Sequence, residues 1–304
     1  RARLIDADME PELVARLESP DYRARVERGV LITVEAFDWN CPKYITPRFS
    51  EREVRELVGG WQQQAAKHER DTSGMEEIGS GMLKLVVTGM RQLTPRVRAY
   101  ELGARNGGDL PPVGAGAHVA VPVRLQDGSV VTRQYSLATH PQRRDMYEIA
   151  VLHEEAGRGG SAAIHATWQI GTRLAIDHPG NQFPLHVDDR PAVLIAGGIG
   201  ITPIKAMARE LKARGNSFEL HYSGRTAADM AYRDWLAIEF PGQLYLYATR
   251  SQRGTRMDLH SIMRSAPADA LFYVCGPGAL IEATSKAARA LAIPPDRVQY
   301  ESFE

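Results

Sequence analysis

Residues 192–196 form an uninterrupted apolar run that leads directly into Gly197-Gly198-Ile199-Gly200-Ile201-Thr202-Pro203. A short apolar run bounded by glycine reads as a strand buried on both faces. Pro203 opening a helix-capable stretch to residue 214 reads as a helix start. The pattern then repeats: strand over 218–223, helix over 230–238, strands over 244–248 and 271–275, and helix over 279–291. This alternation predicts an α/β doubly wound parallel sheet over residues 188–304. Glycines 197, 198 and 200 would let the backbone approach a pyrophosphate, and the helix N-terminus favours its charge. The six-position dinucleotide fingerprint is incomplete, because no third glycine follows at that spacing. Taken alone, a tight strand-to-helix turn without a ligand explains the motif equally well.

The preceding stretch, residues 83–187, has a different rhythm. Short β-prone runs at 83–90, 97–102, 118–123, 130–136, 146–152 and 173–177 are punctuated by Gly107-Gly108, Pro111-Pro112, Asp127-Gly128 and Pro179-Gly180. Such spacing predicts a β-barrel or sandwich. Residues 1–82 are charged and helix-prone, a mixed α/β N-terminal extension. Helices are expected from 11–17 and after Ser50, a strand over 29–37, and a linker over 67–81.

Lys plus Arg and Asp plus Glu are both 37, so no global field draws in nucleic acid or an anionic membrane. No apolar run approaches the ~20 residues needed to span a bilayer. The two cysteines, Cys41 and Cys275, cannot build a disulfide framework, a four-cysteine zinc site or a four-cysteine iron–sulfur cluster. No metal site is expected, and a reducing cytoplasm is the expected setting. The absence of an initiator Met reads as a fragment or trimmed product.

Three further motifs carry chemistry. Arg133-Gln134-Tyr135-Ser136-Leu137 ends a predicted strand. An arginine fork suits a phosphate, a tyrosine ring stacks on a flat ring system, and a serine hydroxyl reaches a heteroatom at its edge. An ordinary strand with a buried Tyr and a surface Arg is the alternative. Gly157-Arg158-Gly159-Gly160-Ser161 precedes a helix-capable segment and makes a phosphate cradle or a flexible hairpin tip. Val274-Cys275-Gly276-Pro277-Gly278 turns sharply after a strand, where a ligand can approach. Its cysteine packs against a ring or is simply buried.

In this order, the four motifs resemble the ferredoxin–NADP reductase superfamily, and most closely the phthalate dioxygenase reductase and vanillate demethylase reductase branch. Tyr147-Glu148-Ile149-Ala150-Val151, Pro179-Gly180-Asn181-Gln182-Phe183-Pro184-Leu185 and the final Glu301-Ser302-Phe303 add to the likeness, which covers residues 83–304. The resemblance implies an FMN-binding domain over 83–187 and an NAD(P)H-binding domain over 188–304. It places Arg133, Gly159, Gly160 and Ser161 on the FMN phosphate, Tyr135 against the isoalloxazine, and Ser136 near flavin N5. Leu137, Ala150, Val151, His153, Thr202 and Phe303 fall beside the same flavin. Gly197, Gly198, Gly200, Thr202 and Pro203 would receive the nicotinamide cofactor. Ser223 and Arg225 would meet its ribose or 2′-phosphate, and Cys275, Gly276 and Pro277 its nicotinamide end. Ser136 and Cys275 would shape the hydride path. NADH is the expected donor, with NADPH left open.

The expected function is therefore hydride transfer from NAD(P)H to FMN, followed by single electrons to a ferredoxin-type iron–sulfur domain or protein that serves an oxygenase. A 2Fe-2S cluster could lie only in a further domain or a separate partner. The alternatives are a flavin or quinone-type reductase using diffusible acceptors, and a nucleotide-binding sensor. Ala36-Phe37-Asp38-Trp39-Asn40-Cys41-Pro42 and Ile45-Thr46-Pro47-Arg48 resemble the tail of a pyridoxamine-phosphate-oxidase-like split barrel, so residues 1–82 read as its remnant and a linker.

Overall fold

The computed structural model describes residues 2–6, 28–32, 76–250 and 256–303. The chain divides into two units, residues 1–64 and 65–304. In the first, β1 (Ala2–Asp6) pairs antiparallel with β2 (Arg28–Ile32). β2 overlaps the strand expected from residue 29. The helices expected near 11–17 and after Ser50, and the split-barrel-like motif with Cys41, lie outside the described residues.

The second unit begins with antiparallel structure. Its strands are β3 (Ile78–Gly79), β4 (Leu83–Thr94), β5 (Val97–Ala104), β6 (His118–Arg124), β7 (Val130–Ser136), β8 (Tyr147–Leu152) and β9 (Arg173–Ile176). Helix α1 (Gly160–Thr167) lies between the last two. Five strands form one sheet in the order β3-β9-β4-β5-β8, and β6-β7 form a separate ribbon. Isolated bridges His118–Gly180 and Leu137–Ile149 tie the ribbon to its surroundings. The described pairings are thus a sheet and a ribbon wrapped on a common core of Leu85, Tyr100, Val119, Val121, Tyr147 and Ile149, rather than one continuous closed ladder. β4 runs past the expected end at residue 90 because shifts at Val87/Gly89 and Gln92/Thr94 bend it while its pairing with β5 continues. Ile78 and Gly79, expected in a linker, pair parallel with Leu174 and Ala175.

The remainder is a five-stranded parallel sheet. It contains β10 (Ala192–Gly197), α2 (Ile201–Arg214), β11 (Phe218–Gly224), α3 (Arg233–Glu239), β12 (Leu244–Ala248), α4 (Leu259–Ser265), β13 (Leu271–Cys275), α5 (Gly278–Ala290) and β14 (Val298–Glu301). The strand order is β12-β11-β10-β13-β14. All six residues of β10 are buried. Its alternation sends Ala192, Leu194 and Ala196 into a core with α2 and α3, and Val193 and Ile195 into another with α4 and α5. This two-sided burial is why β10 is central and helices cover both faces.

The first of these cores also takes in Val97, Ala138, Ala150, Phe183 and Leu185. The antiparallel and parallel parts therefore share an apolar seam. Strand order reverses at β10, whose neighbours are β11 and β13. A doubly wound sheet opens a ligand crevice beyond the carboxyl ends of its strands at such a point. Among the described residues no helix is long and apolar enough to cross a membrane.

Candidate functional site

A cleft of about 160 Å³ opens where β7 ends beside α1 and α2. Arg133, Tyr135, Ser136, Ala150, Gly160, Ser161, Thr202 and Phe303 line it, so eight of the twelve residues expected around a flavin meet there. Leu137 is buried in the antiparallel core together with Val151. The His153 ring packs edge-on against His165 at 5.2 Å between centroids. Gly159 precedes α1 with φ +79°, the left-handed turn that brings the helix start to the cleft.

Part of this cleft gathers groups that suit an anion. No side chain caps the N-terminus of α1, so its first amides have no intrahelical partner. Arg133 stands alongside and donates to the carbonyls of Thr132 (2.9 Å) and Arg158 (3.4 Å). A Cβ on Gly160 would lie 2.6 Å from Arg133 Nε, so glycine is what allows the guanidinium to approach the helix. Unpaired amides, a fixed cation and the Ser161 hydroxyl form a donor set that fits a phosphate. Above it, burial pushes the Tyr135 phenol well up, leaving a neutral ring.

A second cleft, of about 540 Å³, lies at the reversal point of the parallel sheet. Six of the ten residues expected to meet a nicotinamide cofactor line it: Gly197, Gly198, Ser223, Arg225, Gly276 and Pro277. Gly200, Pro203 and Cys275 are buried and do not line it, and Thr202 faces the first cleft. Gly200 has a packing role: a Cβ there would meet the Cys275 carbonyl oxygen at 2.2 Å, so α2 can start this close to β13 only with glycine. The two clefts are contiguous, since Leu152, Glu154, Ile199 and Phe303 border both.

Glu301, known from the sequence only as part of the terminal likeness, joins Ser136 and Cys275. Its Oε2 accepts from Ser136 Oγ at 3.2 Å and from Cys275 Sγ at 3.8 Å. Burial raises the Glu301 carboxyl, opposed by these two bonds. Burial and the neighbouring carboxylate together push the Cys275 thiol up, so it stays protonated. Asp229 was also missed. It lines the second cleft on a short 3-10 turn and accepts from Thr226 Oγ1 at 2.8 Å. An acidic residue shortly after the second strand of the sheet was the available signal.

Residues 194–286 match the oxidoreductase NAD-binding domain family. The chain is 37% identical over 221 residues to vanillate O-demethylase oxidoreductase of Acinetobacter baylyi, covering 73% of this chain and 68% of that one. It is 36% identical to the carnitine monooxygenase reductase subunit of Escherichia coli, covering 73% of this chain and 68% of that one. The solved structure of phthalate dioxygenase reductase, described as a modular structure for electron transfer from pyridine nucleotides to [2Fe-2S], superposes with a TM-score of 0.67 at 32% identity, over 73% of this chain and 68% of that one. With an oxidoreductase nucleotide-binding domain and relatives of this identity and coverage, the chain belongs to the phthalate dioxygenase reductase-like branch of the ferredoxin–NADP reductase superfamily, the NAD(P)H-dependent flavoprotein reductases.

Proposed function

We propose that this chain takes a hydride from NADH onto FMN and passes the electrons singly to an iron–sulfur acceptor of an oxygenase system, as the names of its relatives describe for those proteins. The contiguity of the two clefts carries the reading, because direct hydride transfer requires the two ring systems to meet without intervening water. On this reading residues 83–187 are a flavin-binding barrel and residues 188–304 the nicotinamide domain.

Bound FMN supplies the N5 acceptor and the ability to release electrons one at a time. The protein supplies the rest. Arg133, Ser161 and the α1 amides would hold the phosphate. Tyr135 would pack on the ring. Ser136, held by Glu301, would meet its reactive edge. Gly197 and Gly198 would admit the dinucleotide backbone, and protonated Cys275 would lie buried beneath Gly276 at the nicotinamide end. Asp229 favours NADH, since a carboxylate can accept from a ribose 2′-hydroxyl and repels a 2′-phosphate. Ser223 and Arg225 are the residues that a 2′-phosphate would use.

Denaturing the holoprotein and weighing the released cofactor tests the flavin assignment, and FAD would overturn it. Anaerobic NADH should bleach the flavin, and an unbleached flavin would leave only a nucleotide-binding sensor. Cytochrome c reduction that rises sharply on adding a plant-type ferredoxin supports the iron–sulfur outlet. Rates indifferent to ferredoxin would point instead to diffusible acceptors.

A further inference from the structure

The seam between the antiparallel and parallel parts is mostly apolar, but a buried polar cluster distinct from the Ser136–Glu301 bond crosses it. Lys205 on α2 and Glu148 on β8 are each 6% exposed. Lys205 Nζ donates to Glu148 Oε1 at 2.8 Å and to the Ala138 carbonyl at 2.9 Å. Tyr232 OH donates to the same Glu148 oxygen at 3.0 Å, and Arg91 donates to the other at 2.9 Å. The ammonium also lies 4.3 Å from the Tyr232 ring centroid and 5.0 Å from that of Trp235. Tyr232 itself is held at φ +62°, a left-handed conformation that non-glycine residues rarely adopt. Burial lowers the Lys205 ammonium, and Glu148 counters it.

Such a cluster is a poor source of stability, because desolvating the charges offsets most of their attraction. What it offers is direction. Apolar packing tolerates sliding, whereas a lysine bonded to two fixed oxygens does not. The attachment points are also close to the reacting groups. Ala138 is two residues beyond Ser136, and Glu148 is two before Ala150; both Ser136 and Ala150 line the flavin cleft. Lys205 is one helical turn beyond Thr202, which lines the same cleft, and α2 begins at the dinucleotide turn. The Glu148 carbonyl further accepts from the Ala138 amide at 2.8 Å, so both anchors move together.

We propose that Lys205 is a positioning residue for hydride transfer. Through Glu148 and the Ala138 carbonyl it fixes the stagger between the α2 nucleotide turn and the flavin floor, and so the separation of the two rings. The proposal rests on reading the two clefts as flavin and nicotinamide sites. In the transfer itself, the nicotinamide C4–H bond breaks and its electron pair forms the N5–H bond, oxidising the nicotinamide and reducing the flavin by two electrons. Lys205 takes no proton and touches neither ring.

The test uses the flavin-loaded protein and two variants, Lys205→Met and the double variant Lys205→Met/Glu148→Leu. The double variant leaves no orphaned charge in the seam, because the Arg91 side chain is 58% exposed and stays solvated. In both, bound flavin and the NADH dissociation constant should remain within about threefold of wild type. The anaerobic bleaching rate should fall about tenfold to a hundredfold, as expected for a small misplacement of reacting groups. The long-wavelength charge-transfer absorbance of the NADH complex should weaken in parallel. In flavin-free protein, amide exchange over residues 136–139 and 198–204 should quicken. That readout holds even if the clefts bind something else, whereas a wild-type protein that binds no flavin would sink only the assignment of the clefts. If the single variant fails to fold, the double variant decides. A folded, flavin-loaded double variant that bleaches at the wild-type rate with unchanged charge-transfer absorbance would overturn the proposal, as would unchanged exchange.

Discussion

The Ser136 hydroxyl donates to Glu301 Oε2 at 3.2 Å, joining the last residue of β7 to the last residue of β14 across 165 positions of sequence. The bond fixes the rotamer of the serine assigned to the flavin edge, and it gives a partly buried carboxylate one of its two partners. Burial is the larger influence on Glu301 and raises its folded pKa above the ordinary 4.5. The folded state therefore binds more protons than the unfolded one as pH rises from 4.5 through the folded value, and stability falls across that window. Glu301→Gln removes this loss and still accepts from Ser136. Its Tm should match wild type near pH 4, exceed it increasingly through the window, and keep that advantage at pH 7–8. Flavin reduction by NADH should meanwhile slow by about tenfold, or about 1.4 kcal/mol in the barrier. Thermal melts across pH, paired with stopped-flow bleaching, check both signs. A Tm difference independent of pH would show that the Glu301 carboxyl is not perturbed.

The phosphate cradle makes a paired prediction. Arg133→Ala removes a charged donor, and hydrogen bonds to charged groups contribute about 1.5–3 kcal/mol. FMN affinity should fall about tenfold to a hundredfold while the far-ultraviolet spectrum is retained. Gly160→Ala leaves the arginine present but puts a methyl 2.6 Å from its Nε, forcing the guanidinium aside. It should weaken FMN in the same direction and by a smaller factor. Titration of apoprotein with FMN, followed by flavin fluorescence, measures both. Full affinity in Arg133→Ala would leave the arginine as a surface residue.

Much of this site was legible because its residues sit in contiguous motifs whose local geometry is set by glycine, proline and strand alternation. The β10 run through Pro203 and the stretch 130–136 both fell where the pattern placed them. The missed features are those in which neighbours in space are far apart in sequence. β14 has four residues, with only Val298 buried, so alternation gave little signal. Its place is set by pairing with β13, which in turn brings Glu301 to Cys275. Helix α4 has seven residues and a single Asp258 cap, too short for periodicity to register. Lys205 reads in sequence as an ordinary helical lysine. Only the packing of α2 on β8 turns it inward, and no local propensity encodes that contact.

Gly200 tests the crossing of α2 over β13. A methyl there would meet the Cys275 carbonyl oxygen at 2.2 Å and carbon at 2.4 Å, both backbone atoms that no rotamer change can move. Gly200→Ala should cost about 1–3 kcal/mol of stability, as overpacking does. Displacement of the α2 start should also weaken NADH binding more than FMN binding, because the cradle proposed for the flavin phosphate is built from Arg133 and α1. Denaturant unfolding and separate titrations with NADH and FMN resolve these effects. Equal losses for the two ligands would indicate general disruption rather than a displaced nucleotide turn.

Asp229 is where the choice of nicotinamide cofactor should respond to a single charge. The carboxylate lies on the 3-10 turn after β11, bonded to Thr226 and lining the same cleft as Ser223 and Arg225. NADPH would bring a phosphate of about two negative charges beside it, while the neighbouring arginine and serine could otherwise accommodate that group. Asp229→Asn keeps an oxygen that can accept from Thr226 and removes the repulsion. The ratio of kcat/KM for NADH over NADPH should fall by about tenfold, equivalent to about 1.4 kcal/mol, chiefly through improved use of NADPH. Raising the ionic strength should narrow the wild-type ratio, since the repulsion acts at a partly exposed position and is screened by salt. Adding Arg225→Ala should restore the preference for NADH, because the remaining phosphate grip is then lost. If the Asn variant leaves the ratio unchanged, discrimination lies in the shape of the ribose pocket, and Asp229 serves only to hold its turn.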